Sequence, residues 1–198
     1  MHIIGLTGGI GTGKSAASAY LKELGAAVWD ADLAARAAVE QGQEGWKAIR
    51  KEFGAEYFDS AGNLLRKKLG EKIFSDDAMR ERLNALLHPA ILDDMARFLD
   101  RSKRAGAEVA VIDAPLLFES GADRYADEVW VLSCGVDEQV RRVMERGLNY
   151  EEAMKRVEAQ MSDRERRSRS RRVIDTSGPL EDTRRHLKAL YEEIIAGE

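Results

Sequence analysis

Cysteine is nearly absent: Cys134 is the only one in 198 residues. A single thiol cannot close an internal disulfide, so burial and hydrogen bonds must hold the fold, and the composition suits a reducing cytosol. Long apolar runs are missing too. No apolar stretch outlasts a short strand, whereas a membrane-spanning helix needs about 20 apolar residues. There is no basic excess, because 31 Lys and Arg stand against 35 Asp and Glu for a net charge of -4. Dedicated nucleic-acid binders usually carry such an excess, so only local basic stretches are left to hold anions. The N-terminus shows neither a basic n-region nor a small-residue cleavage site and does not read as a signal peptide. His2, His88 and His186 have no metal-ligand spacing. These absences together predict a cytoplasmic protein with no membrane and no nucleic-acid partner; a monomer is expected.

The content that remains is ample for a folded domain. A length of 198 residues suits one compact domain, and 44% hydrophobic residues can fill its core. Residues 2–7 are a short apolar run leading into a glycine-dense loop. A helical pattern follows from Ser15 to Leu24, stopped by Gly25 in the C′ position. Residues 26–29 are a second apolar run, so the chain opens as a βαβ unit. Further buried strands are predicted at 109–112, 129–132 and 173–174. Helices are predicted at 33–52, 66–74, 79–99, 137–146, 150–170 and 180–195. Ser75 reads as the N-cap of the 79–99 helix, with Asp76 and Asp77 at its positive end, and Pro89 should kink or break it. Trp29, Trp46 and Trp130 read as core.

Strands alternating with helices predict a three-layer α/β/α fold around a parallel five-stranded sheet. The stretch 33–106 is too long for a simple crossover. It reads as an inserted helical subdomain that could hold a substrate, with the core at about 1–32 and 107–198. Gly8, Asp30, Asp32, Asp113, Ser133 and Asp175 follow the ends of predicted strands, where open α/β sheets bind ligands.

Gly8-Gly9-Ile10-Gly11-Thr12-Gly13-Lys14-Ser15 fits the phosphate-binding pattern G-x-x-x-x-G-K-[ST] at every fixed place, between a strand and a helix. Glycines let the backbone curl so that successive N–H groups point at phosphate oxygens, and the helix N-terminus adds positive charge. Gly9 to Ser15 are therefore candidate ATP-binding residues. Lys14 can reach the β- and γ-phosphates, and the Ser15 hydroxyl can ligate Mg²⁺. Asp113, after the VAVI run, reads either as a second Mg²⁺ ligand or as a strand-end turn residue. Asp30 and Asp32 follow the second strand. Asp32 either accepts a proton from an acceptor hydroxyl, or one or both cap the next helix.

Arg142 and Arg146 share a helix face. Six arginines (164, 166, 167, 169, 171 and 172) lie between Ser162 and Arg172. They read as a solvated face, a nucleic-acid patch or a lid that closes over triphosphate at about 142–170. Phosphoryl transfer depends on neutralising charge on the transferring oxygens, so at least one of Arg142 and Arg146 is assigned to a lid. Most arginines of 164–172 are expected at the surface.

Together these residues resemble the dephospho-CoA kinase family. The resemblance is carried by Gly5 through Ser15, with Thr12 where serine is common, and by Asp30-Ala31-Asp32 with Arg36. It continues through Phe53-Gly54, Arg66, Leu86-Leu87-His88-Pro89, Asp113 to Glu119, Arg142, Arg146 and Gln160. It implies a nucleoside-monophosphate-kinase-like core, a helical coenzyme A subdomain and a lid. It also implies γ-phosphoryl transfer from ATP to the 3′-hydroxyl of dephospho-CoA, with Asp32 as base. Arg36, Arg66, His88, Pro115 and Leu116 would contact the acceptor, and Thr176 and Gly178 the nucleotide. Two places depart from the pattern: Ser170-Arg171 stands where Ala-Asp is common, and Thr176-Ser177-Gly178 where an Asn-Gly segment is common. The rival readings are a kinase of a nucleoside monophosphate or other small acceptor, and a nucleotide-dependent nucleic-acid-binding regulator.

Overall fold

The computed structural model describes residues 1–197, apart from the side chains at 74, 75 and 77. It divides into two compact units, Met1–Trp29 with Leu99–Glu198, and Asp30–Phe98.

The first unit is built on the sheet. Strands β1 (His2–Gly8), β2 (Ala27–Asp30), β3 (Val109–Asp113), β4 (Glu128–Ser133) and β5 (Arg172–Asp175) lie in the order β2-β3-β1-β4-β5. β1 runs parallel to both β3 and β4, and β4 runs parallel to β5. The chain thus has the expected α/β architecture. In register, Leu6 sits beside Asp113, Gly8 beside Leu132 and Ser133 beside Asp175. Gly8, Asp113, Ser133 and Asp175 therefore share one edge of the sheet.

Both faces of the strands are covered, which is why their sequences are unbroken apolar runs rather than alternating ones. On one face Ile4, Leu6, Val111, Trp130, Leu132 and Ile174 pack on Ala17 and Leu21 of α1 (Lys14–Glu23) and on Leu187 and Leu190 of α9 (Leu180–Ala196). On the other face Gly5 leaves room for Leu117: a Cβ there would approach Leu117 Cδ2 to 2.8 Å. α1 ends as expected, with Gly25 at φ 109.

The second unit holds α2 (Ala31–Ala38), α3 (Glu44–Phe53), α4 (Arg66–Ser75) and the first part of α5 (Asp77–Arg104). Its core is Val39, Ile49, Tyr57, Phe58 and Leu69, joined by Trp46, Leu83 and Leu87. Trp29 and Trp130 are buried in the first unit, so all three tryptophans are core as expected.

Three helix boundaries differ from the sequence reading. The predicted 33–52 helix is two helices. Gly42 at φ 89 turns the chain, and the start of α3 packs so closely on α2 that a Cβ on Gly45 would lie 2.4 Å from the Ala38 carbonyl. Of the kink or break expected at Pro89, the break does not occur: the helix runs on through it. A proline inside a helix costs about 3 kcal/mol, yet Leu83 and Leu87 before it and fully buried Met95 after it anchor both sides. The 150–170 stretch is also two helices, α7 (Tyr150–Glu158) and α8 (Asp163–Ser168), which follow α6 (Val136–Met144). Ser162 caps α8 by accepting from the Glu165 amide at 3.2 Å. At the start of α5 the Asp76 carboxylate accepts from the Met79 amide at 3.0 Å. The predicted cap at Ser75 and the charge of Asp77 lie outside the described residues. No helix among the described residues is long and apolar enough to cross a membrane.

Leu21 is fully buried at the centre of the α1–sheet contact. Leu21→Ala should lower stability by about 2–5 kcal/mol in urea unfolding, because the packed face cannot collapse into the space.

Candidate active site

The loop between β1 and α1 is closed on itself and left open to an anion. The Thr12 hydroxyl donates to the Gly9 carbonyl at 2.7 Å, and the Thr12 amide reaches the same oxygen at 3.2 Å. Gly11 and Gly13 stand at φ 79 and 83, conformations that L side chains rarely adopt. A Cβ on Gly8 would lie 2.5 Å from Thr12 Oγ1, and one on Gly11 would lie 2.7 Å from the Gln139 carbonyl. Gly13 caps α1 with no side-chain acceptor. The amides of Gly11, Gly13, Lys14 and Ser15 donate to no group among the described residues. Such a row of unsatisfied N–H groups at a helix N-terminus suits phosphate oxygens.

The ionic groups of the loop come from neighbouring strands. Lys14 Nζ pairs with Asp113 Oδ1, and the two side chains are only 14% and 3% exposed. Asp113 closes β3, beside Leu6 of β1, so the sheet register itself fixes this pair. The Ser15 hydroxyl is at the surface of the same turn. One hydroxyl and one carboxylate are hard oxygen donors of the kind Mg²⁺ takes when substrate phosphates complete its shell. No group of three or more His, Cys, Asp or Glu forms a self-contained metal cage among the described residues.

A cleft of about 360 Å³ lies beside the loop, lined by Gly11, Gly13, Arg142, Arg146, Thr176 and Gly178 among others. The structure thus brings together both arginines and both turn residues that the sequence reading singled out. Arg142 is tied at three points: Nη1 to the Gly11 carbonyl at 3.1 Å, Nη2 to the Thr176 carbonyl at 2.6 Å, and Nε to Glu138 at 2.6 Å. Arg141 first, and Arg142 with it, hold the Glu138 carboxyl down at about 2. Arg146, one turn later, is exposed. Thr176 is buried and donates its hydroxyl to the Ser133 carbonyl at 3.2 Å. Cys134 is buried beneath this turn, and burial pushes its thiol up.

α7 packs on α6 through Val140, Val143 and Ala153, and Ile10 of the loop joins that cluster. The Ile10 amide donates to Gln160 Oε1 at 2.7 Å. α8 is fixed to the end of β4 by Ser133 Oγ donating to Asp163 Oδ2 at 2.9 Å. One arginine of the 164–172 run departs from the surface expectation: Arg166 is only 4% exposed. Gln139 is likewise buried against the loop. Neither carried a sequence signal, since a single residue in a polar helix shows nothing of what it faces. Pro115 accepts from the Thr7 hydroxyl at 3.2 Å, and Leu116 is 54% exposed two residues after Ala114.

In the helical unit Asp30 and Asp32 have separate roles. Asp30 Oδ1 accepts from the Asp32 and Leu33 amides at 2.8 and 3.0 Å and caps α2. The Asp32 carboxylate is exposed and has no partner among the described residues. Asp32, Arg36 and Arg66 line one cleft of about 410 Å³ whose other walls are apolar, including Val39, Ile49 and Leu87. Arg66 Nη2 donates to the Arg36 carbonyl at 3.0 Å. His88 is half-buried and does not line this cleft.

Known proteins place the chain. Residues 2–182 match the family model CoaE, dephospho-CoA kinase. A dephospho-CoA kinase of Geobacter sulfurreducens is 45% identical over 192 residues, covering 96% of this chain and 98% of that protein. One of Geobacillus kaustophilus is 42% identical over 191 residues, covering 96% and 95%. The solved structure of TT1252 from Thermus thermophilus superposes with a TM-score of 0.81 at 36% identity, covering 97% of each chain. With a family model spanning nearly its whole length and such relatives behind it, the chain belongs to the dephospho-CoA kinase family.

Proposed function

We propose that this chain transfers the γ-phosphoryl group of ATP to the ribose 3′-hydroxyl of dephospho-CoA, the last step of coenzyme A synthesis. The observation that carries the reading is the loop at 9–15. Its amides at residues 11 and 13–15 are unsatisfied, and it ends in the buried Lys14–Asp113 pair. Family membership supplies the acceptor.

Each residue then has a chemical task. Within the loop Gly9 to Ser15, the Lys14 side chain and the amides of Gly11, Gly13, Lys14 and Ser15 hold the β- and γ-phosphates. Ser15 and Asp113 would hold Mg²⁺, which when bound would neutralise negative charge on the nucleotide's phosphates. Arg142 fixes the nucleotide cleft between Gly11 and Thr176, with Gly178 beside it. Residues 142–170 serve as a lid that carries Arg142 or Arg146 to the triphosphate. Asp32 accepts the proton of the 3′-hydroxyl as that oxygen bonds to the γ-phosphorus. The bond from that phosphorus to the β–γ bridging oxygen breaks, and ADP leaves. Asp32 suits this task because Asp30 has taken over the capping role. Residues 33–106 serve as the coenzyme A subdomain. The cleft with Arg36 and Arg66 has two cations for the acceptor's diphosphate and apolar walls for its pantetheine arm. Pro115 and Leu116 contact the acceptor, and His88 acts from the flank of the subdomain. The protein works in the cytoplasm as a monomer without a nucleic-acid or membrane partner.

A coupled ADP-release assay tests the acceptor directly. ADP should appear with dephospho-CoA and not with AMP or adenosine. Turnover of AMP with none of dephospho-CoA would transfer the reading to a nucleoside-monophosphate kinase. In the same assay Asp32→Asn should lower kcat by about 10²–10⁴, the usual loss for a general base. Near-normal turnover in that variant would remove Asp32 from the role.

A further inference from the structure

Arg166 is a buried charge that the mechanism above leaves unused. Its side chain comes from α8 and ends against the phosphate loop. A Cβ on Gly9 would lie 3.2 Å from Arg166 Nη1, 2.9 Å from Gln139 Oε1 and 3.4 Å from Gln160 Oε1. The next amide, of Ile10, is already held by Gln160 at 2.7 Å. The guanidinium thus rests on the turn where the loop leaves β1.

What it lacks is a partner. Arg166 Nη2 is fully buried and makes no hydrogen bond among the described residues. Burial draws the guanidinium below its usual range, and Glu119, Asp163 and Glu165 offset this only in part, through charge at a distance. Asp163 is engaged elsewhere, by the Ser133 hydroxyl at 2.9 Å and by Arg167 at 3.7 Å. A buried cation with an unsatisfied N–H is costly to the fold unless an anion completes it. The polyanion this loop is built to take is the nucleotide's phosphate chain.

We propose that Arg166 determines specificity for triphosphate, its unpaired Nη2 donating to the terminal phosphoryl group of the bound nucleotide. The proposal rests on the reading that residues 8–15 bind ATP. It adds that α8 delivers a charge that ADP would leave unmet. Triphosphate binding would then complete a hydrogen-bond set that already includes Gln160 and the loop, and product ADP would be released from an incomplete one.

Calorimetric titration of wild type, Arg166→Met and Arg166→Lys with ADP and with a non-hydrolysable ATP analogue, each with Mg²⁺, tests it. In Arg166→Met the analogue's affinity should fall on the order of tenfold to a hundredfold, as for a lost charged hydrogen bond, with ADP affinity unchanged. Arg166→Lys, which keeps the charge without the planar fork, should lose part of the same preference. Equal losses for both nucleotides would make Arg166 a loop support and overturn the proposal, and so would no loss for either. If Arg166→Met does not fold by circular dichroism, Arg166→Lys is read by the same ratio, and an unchanged ratio overturns it. Wild type that binds neither nucleotide would instead defeat the reading of residues 8–15, and this proposal with it.

Discussion

Everything chemical in this molecule depends on one constraint: a loop whose backbone amides face an anion must be held open by groups that are not anions. The phosphate loop is held from beneath and from its flank. Thr12 closes it on the Gly9 carbonyl, Gln160 takes the Ile10 amide, and the Gln139 carbonyl fills the space where a side chain on Gly11 would stand. These contacts occupy one surface of the loop and leave the amides of residues 11 and 13–15 unsatisfied. The glycines matter here for reasons that differ by position. Gly8 and Gly11 admit a close approach by neighbouring atoms, while Gly11 and Gly13 supply the left-handed turns.

The parallel sheet makes that loop possible and sets its charge. Register brings Asp113 next to Leu6, so the carboxylate that closes β3 meets the first lysine of α1. The same edge carries Ser133 and Asp175, from which the cleft-forming turn at Thr176 and the α8 anchor are hung. Arg142 then ties α6, the loop and the β5 turn with three hydrogen bonds. The proposed nucleotide site thus draws on separate stretches of chain gathered at this edge of the sheet.

Much of this was legible in the sequence because strong local rules carry it. The phosphate motif, the buried strands and the closing helix are written as short patterns with fixed periods. The structure has the expected α/β sheet, with Gly25 ending α1 and the tryptophans in core. The failures have physical causes. Pro89 breaks a local rule, but packing on both sides of it outweighs one lost hydrogen bond. The start of α8 reads Ser162-Asp163-Arg164-Glu165, a serine followed three residues later by glutamate, and this capping signal was hidden inside an arginine-rich run. Burial of Arg166 was illegible altogether, since it depends on which face of α8 meets the loop. Asp30 and Asp32 could not be told apart by sequence, and only the hydrogen bonds of Asp30 to the α2 amides separate them.

Amide nuclear magnetic resonance reads the cradle residue by residue. On adding Mg²⁺ and a non-hydrolysable ATP analogue, the N–H signals of Gly11, Gly13, Lys14 and Ser15 should shift strongly, while that of Ile10, already bonded to Gln160, should move little. Unchanged signals at residues 11 and 13–15 with saturable changes elsewhere would place the nucleotide at another site and contradict the account.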